Sequence, residues 1–183
     1  TFFGMEKFNI RWNRNKDATY LKEYYANEMY RGNGVLAARS NLSKVMMNID
    51  GEVNNLGIYL AVEDIGKEFI KRNLSKDYRS GDLYKLGWSN VGARLDRLDE
   101  HLFGVEEQVK NGKEYYQIVY PYDLKTNKKT SKHEQIKSFI SNVMYTSVDE
   151  YYDFFKRDTY YKSLINYLAV SYLLGDPDDL RGN

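Results

Sequence analysis

The spacing of apolar residues changes along the chain, from alternation in the first third to helical recurrence in the last third. Residues 2–12 alternate, which places Phe8, Ile10 and Trp12 on one face of a strand. Asp17 then offers an N-cap to a helix whose apolar positions Leu21, Tyr24, Tyr25 and Met29 keep helical spacing, with Gly32-Asn33-Gly34 as its stop. Alternation returns at Val45, Met47 and Ile49, set against Met46 and Asn48. Asp50-Gly51 marks a turn, and Leu56, Ile58, Leu60 and Val62 alternate again, which predicts an antiparallel hairpin with a long loop. Asp64 can cap a short helix carrying Ile65, Phe69 and Ile70, and Ser80-Gly81 leads into the apolar piece Leu83-Tyr84.

Residues 89–132 carry scattered charge around a strand-like stretch, 115–120, and a basic loop, 125–132. From His133 onward the period is helical in three pieces: Ile136, Phe139, Ile140 and Val143, then residues 148–155, then residues 160–174. Strands first and helices last predict an α+β protein of two lobes within one domain, a sheet-rich lobe over 1–88 and a mainly helical lobe over 89–183. No repeat or low-complexity linker interrupts it.

Composition narrows the partners. Lysine and arginine total 27 against 26 acidic residues, so no global field favours a nucleic acid or an anionic membrane. Cysteine is absent, which excludes a disulfide framework or a thiolate metal cluster. The longest apolar run, 164–174, is interrupted by Asn166 and Ser171 and predicts no transmembrane helix. Thr1 opens the chain without a leader pattern, so the domain is expected to be incomplete at both ends. The 18 tyrosines are expected to fill core edges or to form a stacking surface.

Candidate chemistry gathers where the last helix ends at Gly175 and Pro177 and runs into Asp178-Asp179-Leu180-Arg181-Gly182-Asn183. In protein kinases a helix leads into a loop whose aspartate accepts the substrate hydroxyl proton, and an asparagine five residues later binds magnesium. Asp178 and Asn183 have that spacing. The same residues also read as a solvated turn and cap. His101 and His133 lack neighbours at ligand spacing and are expected to be solvated polar residues. Gly32-Asn33-Gly34 is a helix stop, not a phosphate cradle.

Four stretches, in order, resemble the spore-coat CotH kinase family: Asp17-Ala18-Thr19-Tyr20-Leu21-Lys22-Glu23; Gly57-Ile58-Tyr59-Leu60-Ala61-Val62-Glu63-Asp64-Ile65 with Gly81-Asp82-Leu83-Tyr84-Lys85; Tyr122-Asp123-Leu124-Lys125-Thr126-Asn127; and Tyr167-Leu168-Ala169-Val170 through Leu174-Gly175 to Asp178, Gly182 and Asn183. The resemblance implies a protein-kinase-like fold that uses ATP and magnesium, or another divalent metal, to phosphorylate serine-rich proteins of a spore coat or cell surface. It implies catalysis by Asp178 and metal binding by Asn183. The family's upstream Arg-Gly-Asn strand and its downstream metal-binding aspartate have no counterpart in this chain.

Three further residues are candidates for the nucleotide side. Glu28 falls on the helix face of Leu21 and Tyr25, where it could pair with a nucleotide-binding lysine or simply with Arg31. Glu63 closes the second hairpin strand, where a kinase-like hinge would meet adenine or where Glu63-Asp64 simply caps a helix, and Lys85 could reach a phosphate or be a solvated lysine near a strand end. Two rivals stand beside the kinase: a kinase-like surface or coat protein that binds without phosphoryl transfer, and a purely structural coat protein.

Overall fold

The computed structural model describes residues 4–12, 19, 21–86, 93–111, 114–118 and 120–176. Among these the order of elements is β1 (Phe8–Arg11), α1 (Lys22–Gly32), β2 (Ser40–Ile49), β3 (Glu52–Glu63), α2 (Lys67–Asn73), β4 (Tyr84–Leu86) and β5 (Phe103–Gly104). There follow β6 (Glu107–Asn111), β7 (Glu114–Ile118), β8 (Tyr122–Leu124), α3 (Glu134–Tyr145), α4 (Val148–Asp158) and α5 (Tyr161–Leu174). The chain is thus a mixed α+β protein with small sheets and five helices among the described residues. Its contacts gather into two compact units, Thr1–Asn73 with Lys162–Asn183, and Leu74–Tyr161. The halves expected to meet at residue 88 divide the chain by its change from strand to helical periodicity. The contact boundaries fall elsewhere because α5 shares the unit of α1 and the first sheet.

In the first unit β1, β3 and β2 form one antiparallel sheet in that order, with Phe8 opposite Glu63 and Ser40 opposite Val62. The three expected strands therefore share a sheet. Ala38, Leu60 and Val62 are buried on one face, and Tyr24 of α1 and Leu42 pack against them, which fixes the helix on the sheet.

The long hairpin loop is corrected. Asp50 and Gly51 alone make the turn, both at positive φ (52° and 92°), as a two-residue hairpin turn of the right twist requires. Residues 52–55, read as loop, continue the ladder. A β-bulge between Val45 and Met46 shifts the register, so the sequence loses its alternation where the hydrogen-bonded strand goes on. Two expected caps also move. Helix α1 starts at Lys22 with Leu21 in the cap position and no side-chain bond there, four residues beyond Asp17, which lies outside the described residues. Helix α2 starts at Lys67, whereas the Asp64 backbone N–H donates to the Lys7 carbonyl at 3.0 Å.

The second unit is built around β8, antiparallel to β4 and parallel to β5. Its core is Leu102, Phe103, Tyr122 and Ile140, against which Ile136 and Met144 of α3 pack. The Phe103 and Tyr122 rings stack with centroids 4.8 Å apart, and the Tyr122 hydroxyl donates to the Arg94 carbonyl. Burial, with Asp96 adding to it, pushes the Tyr122 phenol up to about 12. Strands β6 and β7 form a separate hairpin. Helix α3 meets α4 through Phe139 and Phe154, with ring centroids 5.8 Å apart.

Candidate functional site

The C-terminal segment expected to carry the chemistry leaves α5 through a tight cap. Gly175 takes the left-handed conformation at φ +63°, its N–H donates to the Tyr172 carbonyl, and the Asp176 N–H donates to the Ser171 carbonyl at 3.0 Å. This pair of bonds satisfies two orphan carbonyls and stops the helix where the glycine stands. Asp178 and Asn183 lie outside the described residues, and Asp176 is the last residue described.

Helix α5 is held to α1 by polar contacts. The Tyr30 hydroxyl lies 2.9 Å from the hydroxyl of Ser171, a fully buried residue, and it donates to a carboxylate oxygen of Asp176 at 3.4 Å. The Tyr30 and Tyr167 rings stack with centroids 5.6 Å apart. Immediately after α1, the carbonyl of its C-cap residue Asn33 accepts a bond from the Asn166 side chain at 2.7 Å. Burial raises the Tyr30 phenol above its ordinary value, with Asp176 adding to the shift, so the group is a neutral donor at neutral pH.

Glu28, on the same helix, is half-buried and forms an ion pair with Arg31, Nη1 to Oε1 2.5 Å. It thus has a basic partner on its own helix, the alternative weighed for it from the sequence. Glu63, at the end of β3, is buried. Both of its carboxylate oxygens accept bonds from the Arg72 guanidinium of α2, and the Arg39 N–H adds a third bond at 3.1 Å. A buried carboxylate is tolerated there because a forked donor and a backbone amide replace its hydration. The N–H groups of Glu63 and Asp64 donate to the carbonyls of Arg39 and Lys7 at 2.8 and 3.0 Å, so the sheet itself uses them. Lys85 stands exposed in the middle of β4, opposite Asp123.

The second unit holds two polar clusters, in the stretches 81–85 and 122–127 that carry the family resemblance but to which the sequence assigned no role beyond Lys85. Asp82 accepts bonds from the Asn127 side chain at 2.9 Å, from the Ser131 hydroxyl, and from the Tyr84 hydroxyl at 3.3 Å. Tyr84 Oη also lies 2.7 Å from His133 Nδ1, and burial raises its phenol. His133 is therefore not the solvated residue expected. It sits between the rings of Tyr84 and Phe103 and is held to a phenol from a distant part of the chain. The second cluster is Asp123, almost fully buried, which accepts the Glu106 N–H at 2.9 Å and pairs with Lys125. Lys125 reaches Glu106 as well, at 2.8 Å, and its carboxylate partners hold its ammonium above the ordinary lysine value against the opposing effect of burial. Both clusters fall in runs where an acid is followed within three residues by a hydroxyl and a lysine, in opposite orders, Asp82-Leu83-Tyr84-Lys85 and Asp123-Leu124-Lys125-Thr126.

Among the described residues no group of three or more histidine or acidic side chains is placed to hold a metal ion, and no helix is long and apolar enough to cross a membrane. No curated protein matches the chain. A family model described as CotH kinase protein matches residues 1–183, the whole length, and the chain belongs to the CotH kinase family.

Proposed function

We propose that the protein is an ATP-dependent kinase of the CotH type that phosphorylates serine residues of coat or surface proteins. The observation that carries this reading is the match of the family model over the entire chain. The proposal includes a two-lobed protein-kinase-like arrangement, with a sheet-rich lobe over 1–88 and a mainly helical lobe over 89–183. Asp178 is the carboxylate that accepts the proton of the serine hydroxyl as its oxygen attacks, and Asn183 offers a neutral oxygen to a divalent metal, magnesium or another.

Among the described residues no cluster of acidic or histidine side chains is placed to hold the metal, and two of the carboxylates proposed for the nucleotide side are engaged by arginines. The Glu28 carboxylate is taken by Arg31, and that of Glu63 by Arg72. Glu28 can serve the nucleotide only by exchanging Arg31 for another cation. Glu63 contributes its position at the end of β3 rather than a free carboxylate, and Lys85, exposed on β4, is the candidate cation for a phosphate.

One observation favours the second reading, a coat or surface protein that binds without transferring phosphate. Met46, Met47, Ile49 and Val53 stand exposed along the outer part of the β2–β3 hairpin. The test is incubation of the intact protein with γ-labelled ATP, magnesium and a serine-rich protein, followed by acid hydrolysis. Labelled phosphoserine supports the kinase. Binding of the serine-rich protein without label supports the second reading.

A further inference from the structure

We infer that Tyr30 is a positioning residue, whose hydroxyl ties the helix carrying Glu28 to the point where the chain leaves α5 for Asp178. The inference deepens the kinase reading and rests on it for its catalytic consequence, but the tie itself is a matter of geometry.

Three observations converge on this one hydroxyl. Ser171 is completely buried in the last turns of α5, where a hydroxyl without a partner would be costly, and its contact is Tyr30 at 2.9 Å. Asp176, the residue just past the cap, has a carboxylate oxygen 3.4 Å from the same phenol. With the phenol donating to Asp176, the serine hydroxyl donates to the phenol, and the three groups form one chain of bonds from the buried helix to the loop. The ring of Tyr30 is fixed independently by its stack on Tyr167, so the hydroxyl is aimed rather than free to rotate away.

The consequence follows from position along the chain. Glu28 lies two residues before Tyr30 on α1, and Asp178 lies two residues after Asp176. The Tyr30 hydroxyl thus ties α1, from another side of which Glu28 projects, to Asp176, the last residue described before Asp178, across 146 residues of sequence. Positioning of this kind acts on the geometry of the reacting groups and not on their identity.

The test uses Tyr30→Phe in the intact protein, a change that keeps the ring stack and removes only the hydroxyl, with Tyr25→Phe on the exposed side of α1 as control. Hydrogen exchange is expected to quicken about fivefold at residues 27–34 and 173–176 of Tyr30→Phe and to stay unchanged in the control. Phosphate transfer is expected to lose about tenfold in kcat while KM for ATP is unchanged, a split that general loosening of the fold would not give. Unchanged exchange in both stretches overturns the tie whatever the activity does. Quickened exchange with an unaltered kcat in an active enzyme overturns the positioning role. Absence of transfer by the wild type counts against the kinase reading alone, because exchange reads the tie without any turnover.

Discussion

Arg72 closes over Glu63 with a guanidinium that is itself three-quarters covered, the side-chain exposures being 25% and 7%. Its removal leaves a buried carboxylate with one backbone amide as partner. Arg72→Leu should therefore destabilise the protein by about 3 kcal/mol, visible as a lower denaturation midpoint in urea. Loss of less than about 0.5 kcal/mol, the scale of an exposed pair, would show that Glu63 is not anchored as described. Tyr122 gives a prediction in pH. Its phenol is pushed up to about 12 in the folded state, whereas the unfolded value is near 10, so the folded protein keeps a proton that the unfolded chain has lost between those values. Its stabilising contribution is complete below about pH 10 and drains away as pH rises towards 12. Tyr122→Phe should be less stable at neutral pH, by about 1 kcal/mol for the lost bond to Arg94, but should show a flatter decline between pH 10 and 12. Equal slopes for the two proteins would contradict the assignment. At this scale the sequence exposes local relations and hides distant ones. The Glu28–Arg31 pair was legible because one helical turn separates the partners. The Tyr30–Ser171 and Tyr84–His133 contacts were not, because their partners lie 141 and 49 positions apart and neither hydroxyl has a periodic signature.

Helices were legible where apolar residues recur at helical spacing, and strands became obscured where neither face is covered. Helices α3, α4 and α5 fall close to where their periodicity put them, because each buries at least one apolar position, Ile140, Phe154 and Val170. The β2–β3 hairpin was read short for the opposite reason. Beyond the bulge both strands are exposed, so pairing there rests on backbone bonds and on the Asp50-Gly51 turn, and the side chains are not patterned by a core. The end of α5 depends on backbone conformation at Gly175. A Cβ there would meet nothing within 4 Å, so Gly175→Ala is a test of φ alone. Holding an alanine at that φ should cost about 1 kcal/mol, read as a lower melting temperature. A variant as stable as the wild type would mean that the left-handed cap is not what ends the helix.

At the scale of the whole molecule the chain has a sheet-rich beginning and a helical end, yet its last helix shares a compact unit with its first. That return of α5 to α1 is what composition could not show, since it is made by a handful of polar contacts inside otherwise apolar or exposed surfaces. It brings the end of α5, the last part described before Asp178, against the helix that carries Glu28. The claim that depends on it is phosphoryl transfer with Asp178 as the proton acceptor. The direct measurement is transfer of labelled phosphate from ATP to a serine-rich protein by the intact wild type and by Asp178→Asn, with melting curves for both. The substitution preserves shape and removes the charge, so the expected result is a fall in transfer of about 10²-fold or more at an unchanged melting temperature. Equal transfer by the two proteins would contradict the role of Asp178.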